Sequence, residues 1–135
     1  MSHSRPSFTL DDSDPLFKMQ AVQITRGLLP DCWDDADKLA HNELTKNIAG
    51  QLYAAMGSIL ANLGEGYSRS SGRDRAKMFE YALGSVRESM MWYRTSVRIL
   101  GQETVDKRLD KLEQVRRLLL ATIPRERGRI IRPRR

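Results

Sequence analysis

Residues 48–64 contain no charged side chain. Their apolar residues recur at intervals of three and four, the period of an α-helix, so we predict a helix from about 45 to 67. A surface helix normally carries charge on its polar face, whereas this one carries small or uncharged residues. We therefore expect the helix to be buried on most sides. Its small residues are assigned to an oligomer interface: Gly50, Ala54, Gly57, Ser58 and Ala61.

Three further helices follow from the same periodicity. Asp14 and Pro15 resemble a capped helix start, and we expect this first helix to end near Pro30. Residues 31–44 are interpreted as an acidic, solvated connector. The third helix is predicted to begin after Ser71, in a capping-box arrangement, and to run to about residue 100. The fourth is predicted from about 104 to 122, with Pro124 ending it.

No strand-like alternation is present, so the sequence predicts an all-α fold. Four helices joined by short links favour an up-and-down four-helix bundle. We assign residues 1–13 to a flexible N-terminal arm, 14–123 to the bundle and 124–135 to a basic tail. The start of the chain lacks the apolar core of a signal peptide, and no apolar run is long enough to span a bilayer. We expect a cytoplasmic protein with no membrane partner.

The net charge of +6 is concentrated at the C-terminus. Residues 123–135 hold six arginines and one glutamate, a net +5, so the other 122 residues carry only +1. Dense cationic arms bind phosphate backbones without sequence preference, and a solubilising terminus is the alternative. The candidate nucleic-acid ligands in the tail are Arg125, Arg127, Arg129, Arg132, Arg134 and Arg135.

A second basic cluster surrounds the predicted start of the third helix. It is either a solvated helix start or a phosphate contact aided by the helix N-terminus. We expect Glu65, near the end of the second helix, to pair with Arg69 or with backbone amides of the adjoining turn. The candidate phosphate ligands are Arg69, Arg73, Arg75 and Lys77.

Catalytic chemistry finds no support in the sequence. His3 and His41 are far apart and form no metal-binding pair. Cys32 is the single cysteine, which excludes an internal disulfide, and it lacks a nucleophile signature. Glu65 and Glu88 are assigned structural roles, because di-iron bundles also need Glu-x-x-His motifs. We expect a protein that is not an enzyme and that uses no metal or cofactor.

The middle of the chain resembles the four-helix-bundle proteins of the 23S rRNA intervening-sequence family. The resemblance covers about 38 of 135 residues. Its motifs are Gln51-Leu52, residues 58–69 (SILANLGEGYSR), Ser71, residues 81–86 (YALGSV) and Glu88.

This resemblance implies a left-handed up-and-down bundle that assembles into a ring, typically a homopentamer. A more distant likeness is to the accessory protein of diversity-generating retroelements, which binds a reverse transcriptase and nucleic acid. The sequence thus favours a non-catalytic, homo-oligomeric protein that binds RNA or DNA backbone. The alternative is a scaffold for an unidentified protein partner, with no nucleic-acid role.

Overall fold

The computed structural model describes residues 13–129. Most of the predicted N-terminal arm, and the predicted ligands Arg132, Arg134 and Arg135, lie outside this range. The described chain contains one 3₁₀ helix, Pro15–Lys18, and no strand, which confirms the all-α prediction. Its α-helices are α1 (Gln20–Ala40), α2 (Lys46–Tyr67), α3 (Gly72–Thr95), α4 (Val97–Leu100) and α5 (Gln102–Arg127).

The four long helices enclose one hydrophobic core. α2 packs between α1 and α3, and α5 closes the arrangement by packing against α3 and α1. The side chains at the centre have almost no exposed surface, and each contributes about 1.5–3 kcal/mol through burial. The largest of them are Tyr93, Phe79, Leu39, Leu52, Met56, Ile59 and Leu63. The hand of the bundle and its assembly into a ring stay predictions.

The first helix differs from the prediction at both ends. Asp14 does cap Pro15–Lys18, because its Oδ1 accepts from the Leu16 amide at 2.9 Å, but this turn is 3₁₀. The α-helix starts only at Gln20, passes through Pro30 and continues to Ala40. The predicted connector 31–44 is therefore wrong over most of its length. An internal proline costs about 3 kcal/mol, and burial of Cys32 and Leu39 beyond it outweighs that cost.

Helix α3 has the predicted start and an unpredicted interruption. Ser71 caps it, with its Oγ accepting from the Asp74 amide at 3.1 Å. The helix breaks at Ser96, where the hydroxyls of Thr95 and Ser96 donate to the carbonyls four residues earlier. α4 then ends at Gly101, whose φ of 86° suits glycine.

Helix α5 extends beyond its predicted end. Pro124 lies inside it, and the last helical residue is Arg127. The boundary placed at 124 between bundle and tail therefore falls within a helix. Ile123 is buried just before the proline, and the following turn packs against the start of α3. These contacts stabilise the helix beyond Pro124, where local propensity alone predicts that it ends.

Candidate nucleic-acid interface

The α2–α3 turn and the C-terminal end of α5 meet at one end of the bundle. A Cβ placed on Gly72 would lie 2.0 Å from the Glu126 carbonyl oxygen and 2.6 Å from that of Arg129. Only glycine permits so close an approach. The α5 carbonyls thus lie beside the N-terminus of α3, where opposite ends of two helix dipoles meet. This contact places the beginning of the basic tail next to the basic turn.

Arg75 stabilises the α2–α3 turn by hydrogen bonds to its backbone. Its Nη2 donates to the Tyr67 carbonyl at 2.6 Å and its Nε donates to the Arg69 carbonyl at 3.2 Å. The guanidinium also lies 4.9 Å from the centre of the Tyr67 ring. Arg75 therefore satisfies the carbonyl of the last α2 residue, which the helix cannot pair, and a carbonyl of the turn that follows. Its charge serves the protein's own backbone, so it acts as a positioning residue.

The other three cations of the turn lie at the surface. Arg69, Arg73 and Lys77 are exposed, and Arg69 Nη2 lies 3.4 Å from Glu65 Oε1. The pairing expected of Glu65 is therefore present, with the carboxylate 60% exposed. Glu88 is exposed farther along α3.

The described part of the tail adds cations to the same end. Arg125, Arg127 and Arg129 are all exposed. Arg127 pairs with Glu80 across the α3–α5 boundary, and Arg129 pairs with Glu126 at 3.2 Å. The structure thus joins two clusters that are distant in the sequence.

A cleft of about 430 Å³ opens at this junction. Its sides come from the first turns of α3 and the last turn of α5. The lining combines three cations with two carboxylates, and all five residues are charged: Arg73, Asp74, Lys77, Glu80 and Arg127. Two of these charges, Glu80 and Arg127, pair with each other across the cleft.

The residues assigned to an oligomer interface lie on the outward face of α2. Gly50, Ala54 and Ala61 are exposed, and Gly57 and Ser58 are partly exposed. Within one chain, α2 is therefore buried on one side only, and burial of its outward face stays a prediction that depends on contacts between copies. A Cβ on Gly50 or Gly57 would meet no atom within 4 Å. Mid-helix glycine costs about 1 kcal/mol relative to alanine, and packing within the chain gives no reason for either.

A model of the family described as 23S rRNA-intervening sequence protein matches residues 18–121. The chain belongs to the 23S rRNA-intervening sequence protein family. The resemblance seen in the sequence is thereby confirmed. No curated protein and no solved structure matches the chain. The family match stops before Arg125, so the end of α5 that completes the cleft lies outside the matched region.

The chain also contains a buried polar cluster that the sequence pattern did not predict. Asp35 is 1% exposed. Its Oδ2 accepts from the Tyr93 hydroxyl and from Arg108 Nε, each at 2.7 Å, and its Oδ1 accepts from Arg108 Nη2 at 3.3 Å. The cluster connects α1, α3 and α5. The available signal was the helical spacing of Cys32, Asp35 and Leu39, which the assumed stop at Pro30 obscured.

Cys32 lies beside this cluster and is fully buried. Burial raises the pKa of its thiol to about 12, although a hydrogen bond with Tyr93 acts in the opposite direction. Burial also raises the pKa of Tyr93, and its neighbours Cys32 and Asp35 add to that increase. A protonated, inaccessible thiol is a poor nucleophile. The group therefore acts as a small apolar core residue.

Residues 13–129 hold no cluster of three potential metal ligands. Among the helices of this same range, none combines the length and apolar character needed to cross a bilayer.

Proposed function

We propose that the protein is a non-catalytic, oligomeric helical-bundle protein that binds the RNA or DNA backbone at the basic end of the bundle. One observation carries this proposal. The contact between Gly72 and the end of α5 brings Arg69, Arg73 and Lys77 to the same end as Arg127. The remaining tail arginines follow directly in the chain. Clustered exposed cations supply sequence-independent affinity for phosphates.

Oligomerisation is the second part of the proposal. The outward face of α2 is uncharged, and its glycines leave space for a partner backbone. We assign this face to contacts between copies of the chain in a closed ring of left-handed bundles. Five subunits are expected from the family resemblance, and the cytoplasm is the expected compartment. A ring repeats the basic end in every subunit, and multivalent binding then exceeds the affinity of one copy.

Nucleic-acid binding is tested by fluorescence anisotropy with labelled single strands across a salt series. The logarithm of affinity should fall by about 0.7 per phosphate contact for each unit of log salt. Replacing Arg73 and Lys77 together by alanine should weaken binding and flatten this slope. The matched control replaces Arg94 and Arg98, exposed arginines toward the opposite end. Equal effects of the two pairs, or no binding at low salt, would contradict the proposal.

A protein scaffold is the second candidate, and an exposed aromatic pair favours it. Trp33 is 62% exposed and meets Tyr53 edge to face, with ring centroids 5.3 Å apart. Aromatic residues are enriched where proteins bind one another. If the protein forms its ring yet binds no strand at low salt, this scaffold role becomes the better explanation.

A further inference from the structure

The cleft between α3 and α5 contains carboxylates where a simple phosphate site would have none. Asp74 lies one residue from Arg73, and Glu80 lies opposite Arg127 on the neighbouring helix. A carboxylate repels a nearby phosphate, so Asp74 and Glu80 oppose the binding of a ligand that offers only phosphate. Their presence indicates a ligand with a second chemical feature.

The two acids differ in their contacts. Glu80 pairs with Arg127, and that pair spans the cleft from α3 to α5. The backbone amide of Asp74 donates to Ser71 Oγ, while its side chain lines the cleft. An ionised carboxylate accepts hydrogen bonds and donates none. The complementary ligand therefore carries hydrogen-bond donors near its phosphates.

The sugar of RNA meets this requirement. Every ribose carries a 2′-hydroxyl close to the backbone phosphate, and this hydroxyl distinguishes RNA from DNA at a protein site. Deoxyribose has no such donor, so a DNA backbone offers the carboxylates only repulsion. The volume of about 430 Å³ lies within the range of pockets that hold small ligands, which allows one nucleotide unit to enter.

We propose that this cleft selects RNA over DNA, with Arg73, Lys77 and Arg127 contacting phosphates and with Asp74, assisted by Glu80, accepting a hydrogen bond from a ribose 2′-hydroxyl. The inference rests on the proposed nucleic-acid function and assigns a preference to the same site. One net hydrogen bond corresponds to a preference of about 2- to 10-fold.

The test compares three labelled single strands of the same base sequence with the full-length protein. The first is RNA, the second is DNA, and the third is 2′-O-methyl RNA, which keeps an RNA-like sugar but lacks the hydroxyl donor. RNA should bind most tightly, and the other two should bind alike. Equal binding of RNA and 2′-O-methyl RNA would overturn the role of the hydroxyl.

Two variants locate the effect. Asp74→Ala should remove the RNA preference mainly by raising the affinity for DNA, because the repulsive charge is lost, whereas RNA loses the hydrogen bond together with the repulsion. Asp106→Ala removes an equal charge near the start of α5, away from the cleft, and should leave the ratio of affinities unchanged. Circular dichroism confirms that each variant is folded.

The outcomes separate this inference from the proposed function. Equal binding of all three strands, or an unchanged ratio in folded Asp74→Ala, overturns RNA selection by the cleft and leaves backbone binding intact. Failure to bind any strand at low salt overturns both. An RNA preference that disappears only in Asp74→Ala supports the assignment.

Discussion

Arg75 and Glu126 face each other across the junction of α3 and α5, with Arg75 Nη1 3.7 Å from Glu126 Oε1. Both side chains are largely buried, at 14% and 13% exposure. Glu126 Oε1 also receives Arg129 Nη1 at 3.2 Å, whereas its buried Oε2 has no hydrogen-bond partner among the described residues. The Glu126 carboxylate thus joins Arg75, which binds the α2–α3 turn, to Arg129 of the tail.

Replacing Arg75 should therefore destabilise the protein. Arg75→Ala removes the donors to the Tyr67 and Arg69 carbonyls and weakens the pairing of Glu126. We expect a loss of about 2–3 kcal/mol in the free energy of unfolding, measured by urea denaturation. Arg75→Lys keeps the charge but lacks the planar fork, so its loss should be intermediate.

Arg73→Ala provides the matched control for this prediction, because Arg73 is exposed two residues earlier on α3. Its effect on stability should stay below about 0.5 kcal/mol. Similar unfolding free energies for Arg75→Ala and Arg73→Ala would show that the internal contacts of Arg75 contribute little.

The Asp35 cluster predicts a coupled pair. Asp35→Ala leaves the guanidinium of Arg108, 18% exposed, with only the more distant Asp31, whose Oδ2 lies 3.9 Å from Arg108 Nη1, so the loss should be about 3 kcal/mol, at the low end for a broken buried pair. Replacing Arg108 by methionine in the same chain should restore much of this loss, because no unpaired charge is then buried. Urea denaturation of the two single variants and the double variant gives the coupling energy. Additive losses would contradict a direct interaction.

Cys32 predicts a pH effect with a definite sign. Its pKa is raised from 9.0 to about 12 in the folded protein, so the folded state retains the proton where the unfolded state has lost it. The thiol's contribution to stability is complete below pH 9 and falls as the pH rises toward 12. The stability difference between wild type and Cys32→Ala should therefore decrease over this interval.

A labelling experiment checks the same thiol directly. A thiol-specific reagent at mildly alkaline pH should modify Cys32 very slowly in the native protein and rapidly in denaturant, since burial suppresses both access and ionisation. Equal labelling rates in the two states would show that the thiol is accessible.

The sequence correctly predicted those helices for which the local helix signals agree with the packing in the folded bundle. α2 and the start of α3 follow from apolar periodicity and from Ser71 as a cap. The helix ends predicted at Pro30 and Pro124 are wrong, because the cost of an internal proline is local, whereas the burial that outweighs it depends on contacts with distant helices. The burial of Asp35 could not be predicted from the local sequence either, because its partners Tyr93 and Arg108 come from other helices.

For the candidate site, too, the sequence predicted the residue types but not how the fold brings them together. Charge density alone identified the two basic clusters, but their meeting depends on how α5 packs beside Gly72. The sequence likewise could not assign Arg75 to the interior, because its acceptors are carbonyls whose positions only the folded turn defines. The residue types alone predicted that this end of the bundle is basic. Which of its cations face the solvent depends on how the helices pack.

The last prediction concerns assembly through α2. Gly57 lies on its outward face, and an added Cβ there would meet no side chain or neighbouring element of the same chain within 4 Å. Gly57→Arg should therefore leave each bundle folded but prevent close contact between copies. Light scattering after size exclusion should give about five times 15.5 kDa for the wild type and a much smaller mass for the variant.

Gly27→Arg is the matched control, because Gly27 is an exposed helical glycine of α1 whose added Cβ would also meet no atom within 4 Å. It should keep the wild-type mass, since α1 is not assigned to the interface. Gly57→Ala should instead stabilise the isolated helix by up to about 1 kcal/mol. A loss of assembly in that variant would therefore show that the added methyl group collides with a neighbouring copy of the chain. A wild-type protein that stays monomeric at tens of micromolar would overturn the ring. A wild-type mass for Gly57→Arg would place the interface elsewhere, and dissociation by both arginine variants would show that the effect is not specific to α2.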